Sequence, residues 1–242
     1  MELKGKNVLI TGAAVRVGRA MAEAVAKTGA TVIVHYGSSD AEAHSLQSEL
    51  SALGHTIHLL KTDLARPQEV AKLIARASEI GPLFALVNSA AIFENRDLAT
   101  TDLASWQRHM DINLTAAFFL SQAFWRTASA IGNEGRIVNI LDWRALRPGQ
   151  DHLPYTVTKA ALAALTQSLA ASMAPHVTVN GIAFGSILPP KDGGDTSGLI
   201  KKIPARRWAT LEEVGETLVF LLSGPSYITG EIIYLDGGRH LV

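Results

Sequence analysis

The chain has 242 residues, 22 Lys+Arg balanced by 22 Asp+Glu, no cysteine and 48% apolar residues. Zero cysteine excludes a disulfide scaffold, thiol catalysis and cysteine metal sites, and the balanced charge argues against a general nucleic-acid binder. No run approaches the roughly 20 apolar residues of a membrane span, so neither nucleic acid nor membrane is an expected partner. At about 150 residues per domain the length leaves one or two, and one domain over 1–242 is the default for an α/β chain. The start, Met1-Glu2-Leu3-Lys4-Gly5-Lys6, runs straight into a strand-like segment without a secretory pattern, which points to the cytoplasm.

Apolar strands alternate with helical segments from end to end. Val8-Leu9-Ile10 reads as the first strand, followed by a glycine-containing turn and a helix from Arg19 to Thr28 that Gly29 stops. Thr31 to His35 is the second strand. Ser39-Asp40-Ala41-Glu42 reads as a capping box opening a helix to Gly54. Ile57 to Leu60 is the third strand, Pro67 fits the first position of a helix, and Leu83 to Val87 is the fourth strand. One long helix is expected from about Ser105 to Ile131, then a strand from Arg136 to Leu141, a helix from Tyr155 to Met173 and a strand from Val177 to Ile182. A second capping box, Thr210 to Glu213, opens a helix to Leu222, and Glu231 to Leu235 is the last strand.

Near-continuous apolar strands are expected where both faces of a sheet are covered. Strand-helix alternation predicts a Rossmann-type doubly wound parallel sheet in three α/β/α layers, with ligands at the carboxyl ends of the strands. The segment Gly185 to Pro204, with Pro189-Pro190 and Gly193-Gly194, is too long for a mere connection. It reads as a substrate lid, against the plainer reading of a disordered surface loop.

Thr11-Gly12-Ala13-Ala14-Val15-Arg16-Val17-Gly18 follows the first strand and opens a helix. Small residues let the backbone approach a pyrophosphate, and a helix N-terminus offers free N–H groups. The spacing is not G-x-G-x-x-G, so the strand-turn-helix context carries the reading; an ordinary tight turn is the alternative. Arg16 suits an additional phosphate. Where an NAD site places an acid on the ribose 2′-hydroxyl, this chain has His35-Tyr36-Gly37-Ser38-Ser39 and no acid before Asp40. The Ser38 and Ser39 hydroxyls can donate to a 2′-phosphate, so NADP(H) is favoured over NAD(H). Asp40, against this, could repel a phosphate, or simply be a first-turn helix charge.

Tyr155 and Lys159 stand at i, i+4 on one helical face. A tyrosine is a poor acid-base catalyst at pH 7; a nearby ammonium and a helix N-terminus are expected to lower its pKa. The pair gains weight from its place at a helix start, just after a strand end carrying Asp142.

These motifs, with Asp63-Leu64, Asn88-Ser89-Ala90, Asn113 and Asp236-Gly237-Gly238, arrive in one order along essentially the whole chain, which resembles the short-chain dehydrogenase/reductase family. The resemblance implies Tyr155 as proton donor, Lys159 on the nicotinamide ribose, and Asn113 supporting a water near Lys159. It implies Asp63 at the adenine and Asn88 beside a cofactor ribose. Cofactor contacts are expected at Gly12, Arg16, Val17, Tyr36, Ser38, Ser39, Asp63, Leu64, Asn88, Ala90, Tyr155, Lys159, Gly185 and Ile187. The family's helices also build dimer and tetramer interfaces, so a homotetramer is expected, with close packing allowed by Ala160, Ala161, Ala163 and Ala164.

Three departures narrow the resemblance. Arg16 replaces a usual glycine, Asp142 stands thirteen residues before the tyrosine where a serine is usual, and Phe184-Gly185 replaces Pro-Gly. The first two, with His35-Tyr36, the Ala41-Glu42-Ala43 run and the ending Leu235 to Leu241, resemble the pteridine reductase branch, which includes dihydromonapterin and dihydrofolate-type reductases. That branch stacks an aromatic residue on the pterin, at the position of Phe93; Ser38 departs from the basic residue some of its members carry there. The chemistry agrees: an ionised aspartate cannot donate to a carbonyl oxygen, but it can accept N–H bonds from an amino-heterocycle or relay a proton to Tyr155 if burial raises its pKa. Its plain reading is a strand-end carboxylate capping local N–H groups. The expected substrate contacts are Arg16, Phe93, Asp142 and Tyr155, around a pterin C=N bond reduced by NADPH.

The eight histidines show no metal-ligand spacing, and no metal is expected. Trp106, Trp125 and Trp208 read as packing, and Trp143 as packing or a pocket border. Lys201, Lys202, Arg206 and Arg207 read as a solvated basic face or an attractor for an anionic substrate. Two competing functions remain: an NADPH-dependent carbonyl reductase (ketone, sugar or acyl thioester), disfavoured by Asp142, and a non-catalytic NADP-binding protein, disfavoured by an intact Tyr155, Lys159 and Asn113.

Overall fold

The computed structural model describes residues 3–130, 132, 134–189 and 197–242. Seven strands form one parallel sheet: β1 (Asn7–Ile10), β2 (Thr31–Tyr36), β3 (Ile57–Lys61), β4 (Leu83–Asn88), β5 (Gly135–Asp142), β6 (Val177–Phe184) and β7 (Ile232–Leu235). The order is β3-β2-β1-β4-β5-β6-β7, with every neighbouring pair parallel. This is the doubly wound architecture the alternation predicts. The order reverses between β1 and β4, which places the ligand crevice there.

Side chains alternate between the two faces along each strand. Val8 and Ile10 of β1, with Val32 and Val34 of β2, face Met21, Val25, Leu218 and Leu221 of α1 (Arg16–Lys27) and α8 (Leu211–Ser223). Leu9, Ile33 and Leu86 face the opposite layer, α3 (Pro67–Ile80), α5 (Ala116–Ala130) and α6 (Leu153–Met173), through Leu73, Phe124 and Met173. Burying both faces makes the strands predominantly apolar; every residue of β6 is buried, Thr178 and Asn180 included. Gly215 lets α8 lie against α1, since a Cβ there would stand 2.5 Å from the Ala24 Cβ.

Several sequence expectations change. α2 (Asp40–Ala52) forms, but among the described residues Ser39 accepts no capping hydrogen bond. Asp40 turns instead to Lys61 at the end of β3, at 2.7 and 2.9 Å. The long helix expected from Ser105 to Ile131 is three pieces: α4 (Leu103–Met110), a π-helical turn Asp111–Thr115, and α5; Ile131 lies outside the described residues. α4 begins earlier because Asp102 and Ser105 make a capping box. α6 begins at Leu153, so Tyr155 sits in its first turn. Within Gly185 to Pro204, Ser197–Ile200 is a short helix, α7, while residues 190–196 of the expected lid lie outside the described residues. The Thr210–Glu213 capping box forms as expected. Among the described residues no helix is long and apolar enough to cross a membrane.

Candidate active site

The expected site residues collect at the carboxyl ends of the strands. Gly12 follows β1 with φ +66°, and a Cβ there would meet the Ala90 Cα at 2.9 Å. Gly18 packs so closely that a Cβ would overlap the Gly12 carbonyl oxygen. The turn is therefore sealed against the segment after β4. Thr11 completes the seal: its Oγ1 accepts from the Ser89 N–H at 2.9 Å and the Ala90 N–H at 3.0 Å. Arg16 opens α1, exposed, with φ +53°, a left-handed conformation that an arginine adopts at a cost and a glycine does not. Val17 is half-buried beside it.

Ser38 is exposed and Ser39 half-buried after β2. Tyr36 is buried against Ala14 and Ala43. Lys61 holds the Asp40 carboxylate below its ordinary pKa by hydrogen bonding and charge, so the acid feared as a phosphate repeller is compensated. Asp63 is exposed, its carboxylate accepting from the Ala65 N–H at 3.0 Å, and Leu64 is buried. Asn88 is buried at the end of β4 and donates to Asn139 Oδ1 at 2.8 Å and Ser121 Oγ at 3.1 Å. Its own Oδ1 is buried with no partner among the described residues. A Cβ on Gly185 would strike Asp236. Ile187, an expected cofactor contact, spends its side chain on the core beneath α8.

An adenine-nicotinamide dinucleotide fits this set. The glycine turn has no side chain in the way, the orphaned Asn88 oxygen suits a ribose hydroxyl, and Arg16 and the two serines suit phosphate oxygens.

β5, α6 and the π-helical turn bring four more residues together. Asp142 ends β5; its Oδ1 accepts from the Arg144 N–H at 2.9 Å and its Oδ2 from the Tyr155 hydroxyl at 3.1 Å. The plain reading of Asp142 as a local cap is met, and the same carboxylate also accepts from Tyr155. Burial raises the Asp142 pKa above the ordinary carboxylate value. The expected depression of the Tyr155 pKa is overturned: burial, then the Asp142 charge, push it well above the usual 10. The Lys159 Nζ donates to the Ile140 carbonyl at 2.6 Å and stands 5.6 Å from the centre of the Tyr155 ring. Burial also brings Lys159 down to about 8. Tyr155 is a neutral phenol with its hydroxyl on a carboxylate, the protonation state of an acid rather than a base.

Asn113 bonds through its side chain to the segment after β4 and to α6. Its Oδ1 accepts from the Ile92 N–H at 2.9 Å, and its Nδ2 donates to Ile92 O at 3.0 Å and Thr158 Oγ1 at 3.2 Å. It clamps the segment carrying Phe93 onto α6. The Phe93 ring, 54% exposed, presents an edge contact to Tyr155 with centroids 4.6 Å apart.

Two site residues escaped the sequence reading. His152, the left-handed N-cap of α6, stacks on Phe93 at 3.9 Å and 14° and bonds the Glu94 carbonyl through Nδ1. His35 bonds Gly12 and Thr62. A lone histidine two residues before a proline or near the end of an apolar strand carries no spacing signal. Trp143 lies between the Arg144 and Arg239 guanidiniums, 5.2 and 4.8 Å from them. Lys201, Lys202 and Arg206 line one groove of about 300 Å³ with Arg239, while Arg207 leaves it for Glu213 at 2.6 Å.

A nucleotide crevice at the switch point, with a tyrosine and a lysine one helical turn apart beside it, defines an oxidoreductase of the short-chain type. The comparisons agree. A family model described as "Enoyl-(Acyl carrier protein) reductase" matches residues 12–240. The chain is 32% identical to the L-rhamnose 1-dehydrogenase (NAD(P)(+)) of Sphingomonas sp. (strain SKA58), over 99% of this chain and 98% of that protein. It is 31% identical to a 3-oxoacyl-[acyl-carrier-protein] reductase of Synechocystis sp. (strain ATCC 27184 / PCC 6803 / Kazusa), over 98% and 97%. Among solved structures, FolM alternative dihydrofolate reductase 1 from Brucella canis, complexed with NADP, superposes with a TM-score of 0.91 at 32% identity, covering 100% of this chain and 97% of that one. The chain belongs to the short-chain dehydrogenase/reductase family and is an oxidoreductase.

Proposed function

We propose that the protein is an NADPH-dependent pterin reductase that converts a 7,8-dihydropterin to the tetrahydropterin. The observation that carries this reading is the 3.1 Å hydrogen bond from Tyr155 to Asp142. A ketone reductase needs a second donor at that point, and a buried carboxylate is an acceptor. A pterin supplies amino and ring N–H groups for Asp142 and a flat face for Phe93. The Brucella canis protein named as an alternative dihydrofolate reductase supports the same direction.

Gly12, Arg16, Val17, Ser38, Ser39, Asp63 and Asn88 would hold NADPH, which would supply a hydride for C6 of the substrate. Tyr155 gives its phenolic proton to N5. Lys159, an ammonium below about pH 8, would stabilise the phenolate left behind, and Asp142, the acceptor of the Tyr155 hydroxyl, holds the phenol for that transfer. Arg16 reaches the pterin's polar edge. The preference for NADPH over NADH rests on Arg16, the two serines and the Asp40–Lys61 pair, which removes a free acid from the 2′-phosphate position. Asn113, through Ile92, is a positioning residue for Phe93 and α6. The proposed assembly is a homotetramer and the proposed compartment the cytoplasm; Phe119 of α5 stays 41% exposed on an outer helix.

A second reading, an NADPH-dependent carbonyl reductase, is favoured by the names of the sugar dehydrogenase and acyl-thioester reductase relatives. NADPH oxidation followed in parallel with a 7,8-dihydropterin and a 3-oxoacyl thioester separates them. Turnover of the pterin alone is expected; turnover of the thioester alone would leave Asp142 a purely structural role.

A further inference from the structure

We propose that His35 is a positioning residue of the dinucleotide site: its imidazole ties the glycine turn after β1 to the turn after β3 and so fixes the main-chain donors that a bound dinucleotide meets. The inference rests on the cofactor reading and is independent of the substrate. His35 lies near the carboxyl end of β2, between β3 and β1, and is 2% exposed. An imidazole buried there is costly unless both nitrogens are bonded, and both are. Nδ1 accepts from the Gly12 N–H at 3.2 Å, and Nε2 stands 3.0 Å from the Thr62 carbonyl oxygen. An accepting Nδ1 puts the single proton on Nε2, which donates to Thr62.

The main chain around the ring repeats the tie. The Ala13 N–H donates to the His35 carbonyl at 3.0 Å, and the Thr62 N–H to the Tyr36 carbonyl at 3.1 Å. Three turns, those carrying Gly12, Ser38 and Asp63, therefore converge on residues 35 and 36. Gly12 also lies against Ala90, so the imidazole is the polar stop on the other side of the turn. Arg76 of α3 donates to Thr62 Oγ1 at 3.2 Å; its charge, with burial, opposes a cation at His35 and holds the ring neutral, with a pKa of about 4.

The test compares three variants with the wild type, reading NADPH affinity from nicotinamide fluorescence. The Asn side chain of His35→Asn places a polar atom where Nδ1 was, and His35→Gln places one where Nε2 was; His35→Leu fills the space with neither. Losing both bonds in His35→Leu is expected to weaken NADPH about 10–100-fold, with a larger change in KM for NADPH than in kcat. His35→Asn is expected to recover more affinity than His35→Gln, because it restores the acceptor for Gly12. Nitrogen-15 NMR of the wild type at pH 7 is expected to show a neutral Nε2–H histidine. Equal affinity across the three folded variants, an imidazolium, or an Nδ1–H tautomer would each overturn the proposal. If His35→Leu does not fold, the Asn–Gln comparison and the wild-type spectrum decide. Failure of the wild type to bind NADPH would overturn the cofactor reading as well, whereas tight binding indifferent to residue 35 overturns this inference alone.

Discussion

At the scale of the residue, the chemistry turns on one carboxylate, one phenol and one ammonium packed away from water. Tyr155 donates to Asp142 and is held neutral, so its removal should cost the proton transfer. Tyr155→Phe is expected to lower kcat about 10²–10⁴-fold while the dissociation constant for NADPH, from fluorescence titration, stays within the same order. An undiminished kcat would remove Tyr155 from the acid role. Asp142→Ser is expected to lose dihydropterin turnover; retention would count against the pterin reading. Lys159 adds a pH limb. Its pKa is brought down to about 8 by burial, so as pH rises through 8 the ammonium is lost and the phenolate loses its support. The pH profile of kcat is expected to fall above about 8, and Lys159→Arg, always charged, to flatten that limb. His35 contributes on the acid side. Its folded pKa, about 4, lies below the ordinary 6.5, so its stabilisation is complete above 6.5 and is lost as pH falls towards 4.

At the scale of the element, the site is set by how helix ends meet strand ends. α1 carries the phosphate turn and is held by α8 through Gly215 and Ala24. Gly215→Val would drive its side chain into the Ala24 Cβ, which stands 2.5 Å from where a Cβ on residue 215 would lie. A loss of about 1–3 kcal/mol is expected from such overpacking, read as a lower thermal midpoint, and an unchanged midpoint would mean that α8 shifts freely. The π-helical turn at Asp111–Thr115 places Asn113 against Ile92 and Thr158, where an uninterrupted helix from Ser105 was expected. The break was not legible because Asp111-Ile112-Asn113-Leu114-Thr115 holds neither glycine nor proline, and weak helix propensity alone does not mark a π-helical turn. The capping box expected at Ser39 does not form, because Ser39 stands at φ −86° and ψ 61°, outside the extended conformation an N-cap residue takes. Thr210–Glu213, where the expected partners are local, formed as read.

At the scale of the molecule, the parallel sheet turns a linear order of motifs into a ring of loops around one crevice. A ligand that binds only the folded chain must stabilise it as a whole. With free NADPH at about 100 times its dissociation constant the gain is about 2.7 kcal/mol, or roughly 5–11 °C in thermal midpoint for a chain of this size. NADH at the same concentration is expected to give a clearly smaller shift. Equal shifts would remove the 2′-phosphate reading of Arg16, Ser38 and Ser39 while leaving the dinucleotide site intact.

The sequence by itself determined the strand-helix alternation, the parallel sheet, the strand-end positions of Gly12, Asn88 and Asp142 and the helix-start position of Tyr155. These follow from apolar period, glycine and proline punctuation and residue order, which are local properties. Only the tertiary structure decided that Tyr155 is kept neutral, that Lys159 spends its ammonium on Ile140, that Asn113 grips Ile92, and that His35 and His152 join the site. Each of those outcomes depends on partners brought together by folding and on the water excluded around them. Burial and hydrogen-bond geometry set protonation states, and neither is written in the spacing of residues along the chain.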